Sequence, residues 1–189
     1  EQLGIGAYSG YAGIIYTLVH LHYILPHVDT LATIELLLEK ILEKVSNDTV
    51  FDIISGVAGC VLALRAARGI ADQKKLDAVS QCSIEHLLTQ YPDPDKLSNN
   101  VSDYIGEKPL LGFSHGVAGI LYALAMHYEE HPDARIASWI EKGLTYERRC
   151  FSESHQAWPD YRKQVEQNYY PQVWCHGSVG IGLSRLLLP

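Results

Sequence analysis

The sequence predicts an all-α fold built from repeated helix pairs. Three observations lead there. A Gly-x-x-Gly frame recurs four times, each copy opens an apolar run of helix length, and amphipathic segments of helical period lie between the copies. No segment alternates with the period of two that marks a half-buried strand.

The copies read Ser9-Gly10-Tyr11-Ala12-Gly13, Ser55-Gly56-Val57-Ala58-Gly59, His115-Gly116-Val117-Ala118-Gly119 and His176-Gly177-Ser178-Val179-Gly180. Their first glycines stand at 10, 56, 116 and 177, giving spacings of 46, 60 and 61. Apolar helices are therefore expected over 10–25, 56–69, 116–130 and 177–188. The segment 30–44 places Leu31, Ile34, Leu37, Leu38, Ile41 and Leu42 at helical spacing, with Glu and Lys opposite. Leu76, Val79, Ile84, Leu87 and Leu88 do the same over 72–90, and Ile136, Ile140 and Leu144 over 133–149. Each repeat is thus an inner apolar helix and an outer amphipathic one.

Composition bounds the function. A chain of 189 residues, 47% apolar and 20% charged, is ordinary globular material with a sizeable core. A net charge of −7 argues against a nucleic-acid surface, which needs clustered Lys and Arg. The stretch 3–28 carries no charged side chain and is long enough to span a bilayer. It also holds three His, four Tyr and Pro26, so it reads as the inner wall of a helical protein and not as a membrane span. Four cysteines at 60, 82, 150 and 175 fit a reducing compartment better than a disulfide framework. The chain opens on Glu1 and stops at Pro189 just after an apolar helix begins, so a longer protein is expected, with apolar flanks that favour self-association of an isolated piece.

Two loops feed the His-bearing motifs: 98–109, which follows Tyr91-Pro92-Asp93-Pro94-Asp95, and 151–173, which carries Trp158-Pro159-Asp160-Tyr161-Arg162. Loops of that length are often functional. In a ring of helix pairs, equivalent motifs share one face, so polar groups gather at one end of the inner helices. The motif glycines are read as relief of crowding where those helix ends converge, since each costs about 1 kcal/mol in helix propensity.

Trp174-Cys175-His176-Gly177 sets a thiol beside an imidazole, the ligand types zinc prefers. Taken alone it is half a site, and a buried Cys beside a helix-capping His explains it more simply. Cys60 and Cys82 read as packing residues, and nothing near Cys150 suggests a metal.

Together, Gly112-x-x-His115-Gly116-x-x-Gly119, the other glycine repeats and Trp174-Cys175-His176-Gly177 closely resemble the LanC-like lanthionine cyclases. With Gly6-Ala7-Tyr8-Ser9-Gly10-Tyr11 and Trp158-Pro159-Asp160, the chain is most similar to the C-terminal cyclase domain of class II lanthipeptide synthetases. The resemblance covers essentially all of residues 1–189, read as part of a single cyclase domain.

The resemblance implies an α/α toroid, here an incomplete arc of about four outer-inner pairs. It implies an enzyme that adds a peptide Cys thiol to dehydroalanine or dehydrobutyrine, closing thioether rings in a dehydrated precursor peptide. It also implies a dehydratase domain in the same polypeptide and a bacterial cytoplasmic setting. One Zn²⁺ would favour the thiolate, the attacking form. Cys175 matches the first zinc ligand, and the remaining ligands are expected beyond the C-terminal end of this chain. A weak or absent zinc is the expectation for this piece alone.

His115 and Asp52 match the family's catalytic positions. The attack creates an enolate that must be protonated, and an imidazole suits that task near neutral pH. Asp52 fits an N-cap on the helix after Ser55-Gly56 equally well. His176 is read as a supporting or capping neighbour of Cys175. One position departs from the pattern: where related cyclases carry an Arg, four residues before the zinc Cys, this chain has Pro171. A glutathione-adding relative and a non-catalytic peptide-binding helical repeat are the alternative functions.

Overall fold

The helix signals resolve into seven α-helices among the described residues, which are 3–91, 108–163, 165, 169–186 and 188 of a computed structural model. The helices opened by glycine motifs are α1 (Tyr11–Ile24), α3 (Val57–Leu64), α5 (Val117–Tyr128) and α7 (Ser178–Arg185). The amphipathic ones are α2 (Leu31–Lys44), α4 (Gln73–Gln90) and α6 (Ala134–Cys150). Two isolated β-bridges stand in place of any strand among these residues. The chain divides into two compact units, Glu1–Gln90 with α1 to α4 and Tyr91–Pro189 with α5 to α7. In the first, α1 packs on α2 and α3, and α4 on α3 and α2; in the second, α5 packs on both α6 and α7.

Each amphipathic helix buries one stripe. Ile34, Leu38 and Ile41 of α2, Leu76, Val79, Ile84 and Leu87 of α4, and Ile136, Ile140 and Leu144 of α6 are all buried. Each such Leu or Ile contributes roughly 1.5–3 kcal/mol. The stripe on α2 is narrower than the sequence suggests. Leu31 and Leu42 lie on its flanks and stay exposed, because a period of 3.6 brings only the i, i+4, i+7 positions fully inward. The motif-led helices α3 and α5 are buried nearly all round, as their unbroken apolar runs demand. The uncharged stretch 3–28 yields only the fourteen-residue α1, and no helix among the described residues is long and apolar enough to cross a membrane.

Two expected helices are shorter than their apolar runs. The segment 56–69 leaves α-geometry after Leu64, passes through a 3₁₀ turn at Arg65–Ala67 and bends away at Gly69, whose φ of 77° is left-handed. The helix expected over 177–188 closes at Arg185. Residues Leu187 and Pro189, the Pro92 to Asp95 turn and most of the 98–109 loop lie outside the described residues.

Helix starts differ by class. The first N–H groups of any helix lack intrahelical partners. On the amphipathic helices an aspartate supplies them: Asp29 accepts from Leu31 N, Asp72 from Lys74 and Lys75 N, and Asp133 from Arg135 N. On the motif-led helices the backbone just upstream folds over the helix end. Tyr11 N donates to Gly4 O, Val117 N to Leu110 O and Ser178 N to Pro171 O, each seven residues back. At α3 the Asp48 carboxylate replaces that carbonyl and accepts from Val57 N at 2.8 Å.

This wrapping, and not convergence of neighbouring helix ends, accounts for the motif glycines. A Cβ on Gly177 would lie 1.9 Å from Pro171 O, in the loop that caps its own helix. Two further glycines admit a neighbouring motif turn. A Cβ at Gly6 would meet Ser55 backbone at 2.3 Å, and one at Gly112 would meet Cys175 O at 2.2 Å. Gly182 in α7 has open space around it. Gly112→Ala is therefore expected to lower stability by more than about 2 kcal/mol and to displace the turn at Cys175. Gly182→Ala raises stability by up to about 1 kcal/mol. Thermal denaturation of the two variants checks both, and equal midpoints would refute the packing account.

One buried carboxyl ties α6 to α7. The Glu147 carboxylate is fully buried and meets the Arg185 guanidinium, while its Oε1 finds no partner among the described residues. Burial pushes the Glu147 carboxyl up to about 8, and Arg185 pulls it back only in part. A carboxyl raised on folding holds its proton more tightly in the native state, so its contribution to stability is full below about 4.5 and is lost as pH rises through about 8. The difference in thermal midpoint between wild type and Glu147→Gln should shift in favour of Gln over that window. A pH-independent difference would mean that Glu147 is charged throughout.

Candidate active site

The glycine motifs come in facing pairs. In the first unit the turn at Gly6 to Ser9 lies against the turn at Ile53 to Ser55, with Gly6 N donating to Ser55 O and Tyr8 N to Ile54 O. In the second unit Ser114 N and Ser114 Oγ both donate to Cys175 O, at 3.1 and 3.0 Å. Phe113 packs on Trp174 with ring centroids 5.4 Å apart. The residue before each leading glycine faces its counterpart. Ser9 and Ser55 meet through their hydroxyls at 2.7 Å, whereas His115 and His176 stack with centroids 5.5 Å apart and planes 13° from parallel. The same backbone arrangement thus carries a hydroxyl pair in one unit and an imidazole pair in the other.

Beside that imidazole pair stands Cys175, a free, half-buried thiol. The other cysteines differ from it. Cys60 is buried in α3, where burial pushes its thiol up to about 12, and burial likewise raises Cys150. Both are held as thiols and serve packing. Cys82 is exposed on α4, not packed as its amphipathic setting suggested. Cys175 alone combines partial access with imidazole neighbours, so its donor chemistry fits one zinc ligand. No three His, Cys, Asp or Glu side chains converge to hold a metal among the described residues, so the set is not completed there.

His176 is held below the usual imidazole range, first by burial and then by the Arg162 guanidinium, with Asp160 opposing and His115 adding to the effect. Two stacked imidazolium rings would repel, which also favours the neutral form of His176 against the exposed ring of His115. Asp160 and Arg162 form a clamp that the sequence did not mark as functional. Arg162 Nε donates to both carboxylate oxygens at 3.1 and 2.9 Å, and Nη2 donates to Oδ2 at 2.6 Å. Burial acts to raise Asp160, but bonding to Arg162 outweighs it and holds the carboxyl below its ordinary value. The Asp-x-Arg spacing in the Trp158 segment was the signal available. Trp158 Nε1 donates to Glu147 O at 2.7 Å and anchors that segment to α6. Pro171, where an Arg was expected, offers its carbonyl to the α7 N-terminus.

Residues 1–188 match the sequence model of the lanthionine synthetase C-like proteins. The chain belongs to that family. No curated protein matches it significantly in sequence. Among solved structures it is similar to a nisin cyclase, with a TM-score of 0.71 at 20% identity. That alignment covers 98% of this chain and 53% of the nisin cyclase, so this chain spans about half its length. The likeness is one of fold: the alternating helices are those of an α/α toroid, in which the motif-led helices are inner and the amphipathic helices outer. Among the described residues the LanC-like chain has three inner-outer pairs and a fourth inner helix.

Asp52, the remaining residue singled out in sequence, belongs to the first unit and is buried in the turn before α3. Its Oδ1 accepts from Ser55 N at 2.7 Å and Gly56 N at 3.1 Å, so it organises the motif turn at the helix entrance while Asp48 serves Val57. Asp52→Asn keeps an acceptor oxygen and should change stability by less than about 1 kcal/mol, whereas Asp52→Ala should cost about 1–2 kcal/mol. Urea denaturation of the two variants tests this, and an Asn variant as unstable as Ala would show that the charge is what the turn needs.

Proposed function

We propose that this LanC-like chain is the cyclase part of a class II lanthipeptide synthetase, acting on a dehydrated precursor peptide in the bacterial cytoplasm. The observation that carries the reading is the accessible Cys175 thiol beside the stacked His115 and His176. The class II assignment is supported by the Trp158-Pro159-Asp160 and Trp174-Cys175-His176-Gly177 motifs. On this reading both compact units belong to one toroid domain, residues 1–189 being part of it, and a dehydratase domain of the same polypeptide supplies the substrate.

The reaction adds S–H across a carbon–carbon double bond. The peptide sulfur bonds to the β-carbon of dehydroalanine or dehydrobutyrine, and the α-carbon takes a proton. Zinc, when bound, would stabilise the peptide thiol as thiolate; Cys175 would be one ligand, with others drawn from outside the described residues. His115 is the acid that delivers the proton to the α-carbon, and the neutral His176 ring keeps it oriented. Asp52 holds the motif turn at the entrance of α3.

Ring closure leaves the mass unchanged but removes a free thiol, so alkylation followed by mass spectrometry reads it directly. The full-length protein, given a peptide with one dehydrobutyrine and one cysteine, should abolish thiol alkylation, and His115→Asn should slow this about 100-fold. Added glutathione should not appear in the product; a glutathione adduct without ring closure would favour the glutathione-adding alternative. Zinc content of the full-length protein is expected to fall from near one equivalent to near none in Cys175→Ala. Full retention of zinc in that variant would remove Cys175 from the ligand set.

A further inference from the structure

Four consecutive residues of one motif turn close on the next turn. A Cβ at Gly112 would lie 2.2 Å from Cys175 O, so the two backbones touch there. Phe113 packs on Trp174, Ser114 bonds to Cys175, and His115 stacks on His176. Ser114 is 1% exposed, and its N–H and Oγ both donate to the Cys175 carbonyl, at 3.1 and 3.0 Å. The first unit makes the same joint differently. There the counterpart of Cys175 is Ile54, whose carbonyl accepts from Tyr8 N at 3.0 Å and from Ser9 N at 3.2 Å. Its hydroxyl donor is Ser9 at 3.4 Å, the residue directly before the leading glycine. In the third copy an imidazole, His115, holds that place, and the hydroxyl comes from the residue before it. The carbonyl thus keeps a hydroxyl donor, now closer and on a buried side chain, while the position next to the glycine carries a ring.

We propose that Ser114 is a positioning residue for Cys175: its buried hydroxyl fixes the Cys175 backbone, and so sets the register between that thiol and His115. The inference rests on the cyclase reading above, in which Cys175 is a zinc ligand. A ligand serves a metal well when its own backbone and side chain are held in place by surrounding contacts. Cys175 stands in a turn, two residues before the leading glycine of α7, and is half-buried. Its carbonyl is the point at which the neighbouring motif takes hold of that turn. Ser114 and His115 are adjacent in the chain, so one peptide unit joins the group that holds Cys175 to the ring that stacks on His176. Removing the hydroxyl leaves the Ser114 N–H on the same carbonyl, so the turn still forms and loses only part of its hold.

The test uses the full-length protein, as isolated and after removal of its metal. Release of zinc into excess chelator is timed, and alkylation of Cys175 in the metal-free protein is followed by mass spectrometry. Ser114→Ala should release zinc about tenfold faster than wild type, the usual scale for losing a contact behind a metal ligand. Its Cys175 should be alkylated about fivefold faster, in keeping with the loss of one hydrogen bond that holds the turn closed. Ser114→Thr, which keeps a hydroxyl, should return both rates toward wild type. Ser9→Ala removes the corresponding hydroxyl from the first unit and should leave both rates unchanged, which separates positioning from a general loosening of the fold. The two Ala variants decide the matter even where the extra methyl of Thr is not accommodated. Wild-type rates in Ser114→Ala, or equal acceleration in Ser9→Ala, overturn this inference alone. Zinc that Cys175→Ala still holds in full overturns the ligand reading and this inference with it.

Discussion

The folding of a loop backbone over the N-terminus of each glycine-led helix is the contact on which the rest depends. A helix start presents N–H groups that must be satisfied, and at the buried starts of α3 and α5 water cannot do it. Here carbonyls seven residues upstream reach Tyr11, Val117 and Ser178. A loop brought that close leaves no room for a Cβ at the leading glycine, and this is why the motif tolerates so little there. The outer helices, beginning nearer to solvent, use aspartate side chains for the same purpose.

That wrapping also exposes the turn backbone to a neighbour. Gly6 and Gly112 let the next motif turn approach within hydrogen-bonding distance, and the residue preceding each leading glycine then faces its counterpart. The repeat thereby generates equivalent positions that can be filled differently. Serines at 9 and 55 make a plain hydroxyl contact, and histidines at 115 and 176 make a stacked imidazole pair. The same backbone arrangement thus holds a hydroxyl junction in one unit and an imidazole junction in the other.

The long loop before α7 is held by polar contacts of its own: Trp158 anchors it through Glu147 O, and Asp160 grips Arg162 within it. The Glu147–Arg185 contact holds α7, and with it the turn carrying Cys175, against α6.

What the sequence by itself determined is the helix alternation and the family. Period and glycine spacing are local properties, legible without coordinates, and Ile34, Leu38 and Ile41 fell inward as their spacing required. The partnerships were not legible. Asp48 rather than Asp52 caps Val57, because which carboxylate reaches an N–H depends on the path of a loop containing Phe51 at a φ of 61°. The crowding at the motif glycines arises from loop backbone, and spacing alone cannot distinguish that from converging helices. The grip of Asp160 on Arg162 became visible only in the folded loop. Local periodicity encodes which face of a helix is buried, but the orientation of a loop side chain is decided by the contacts made after the helices have packed.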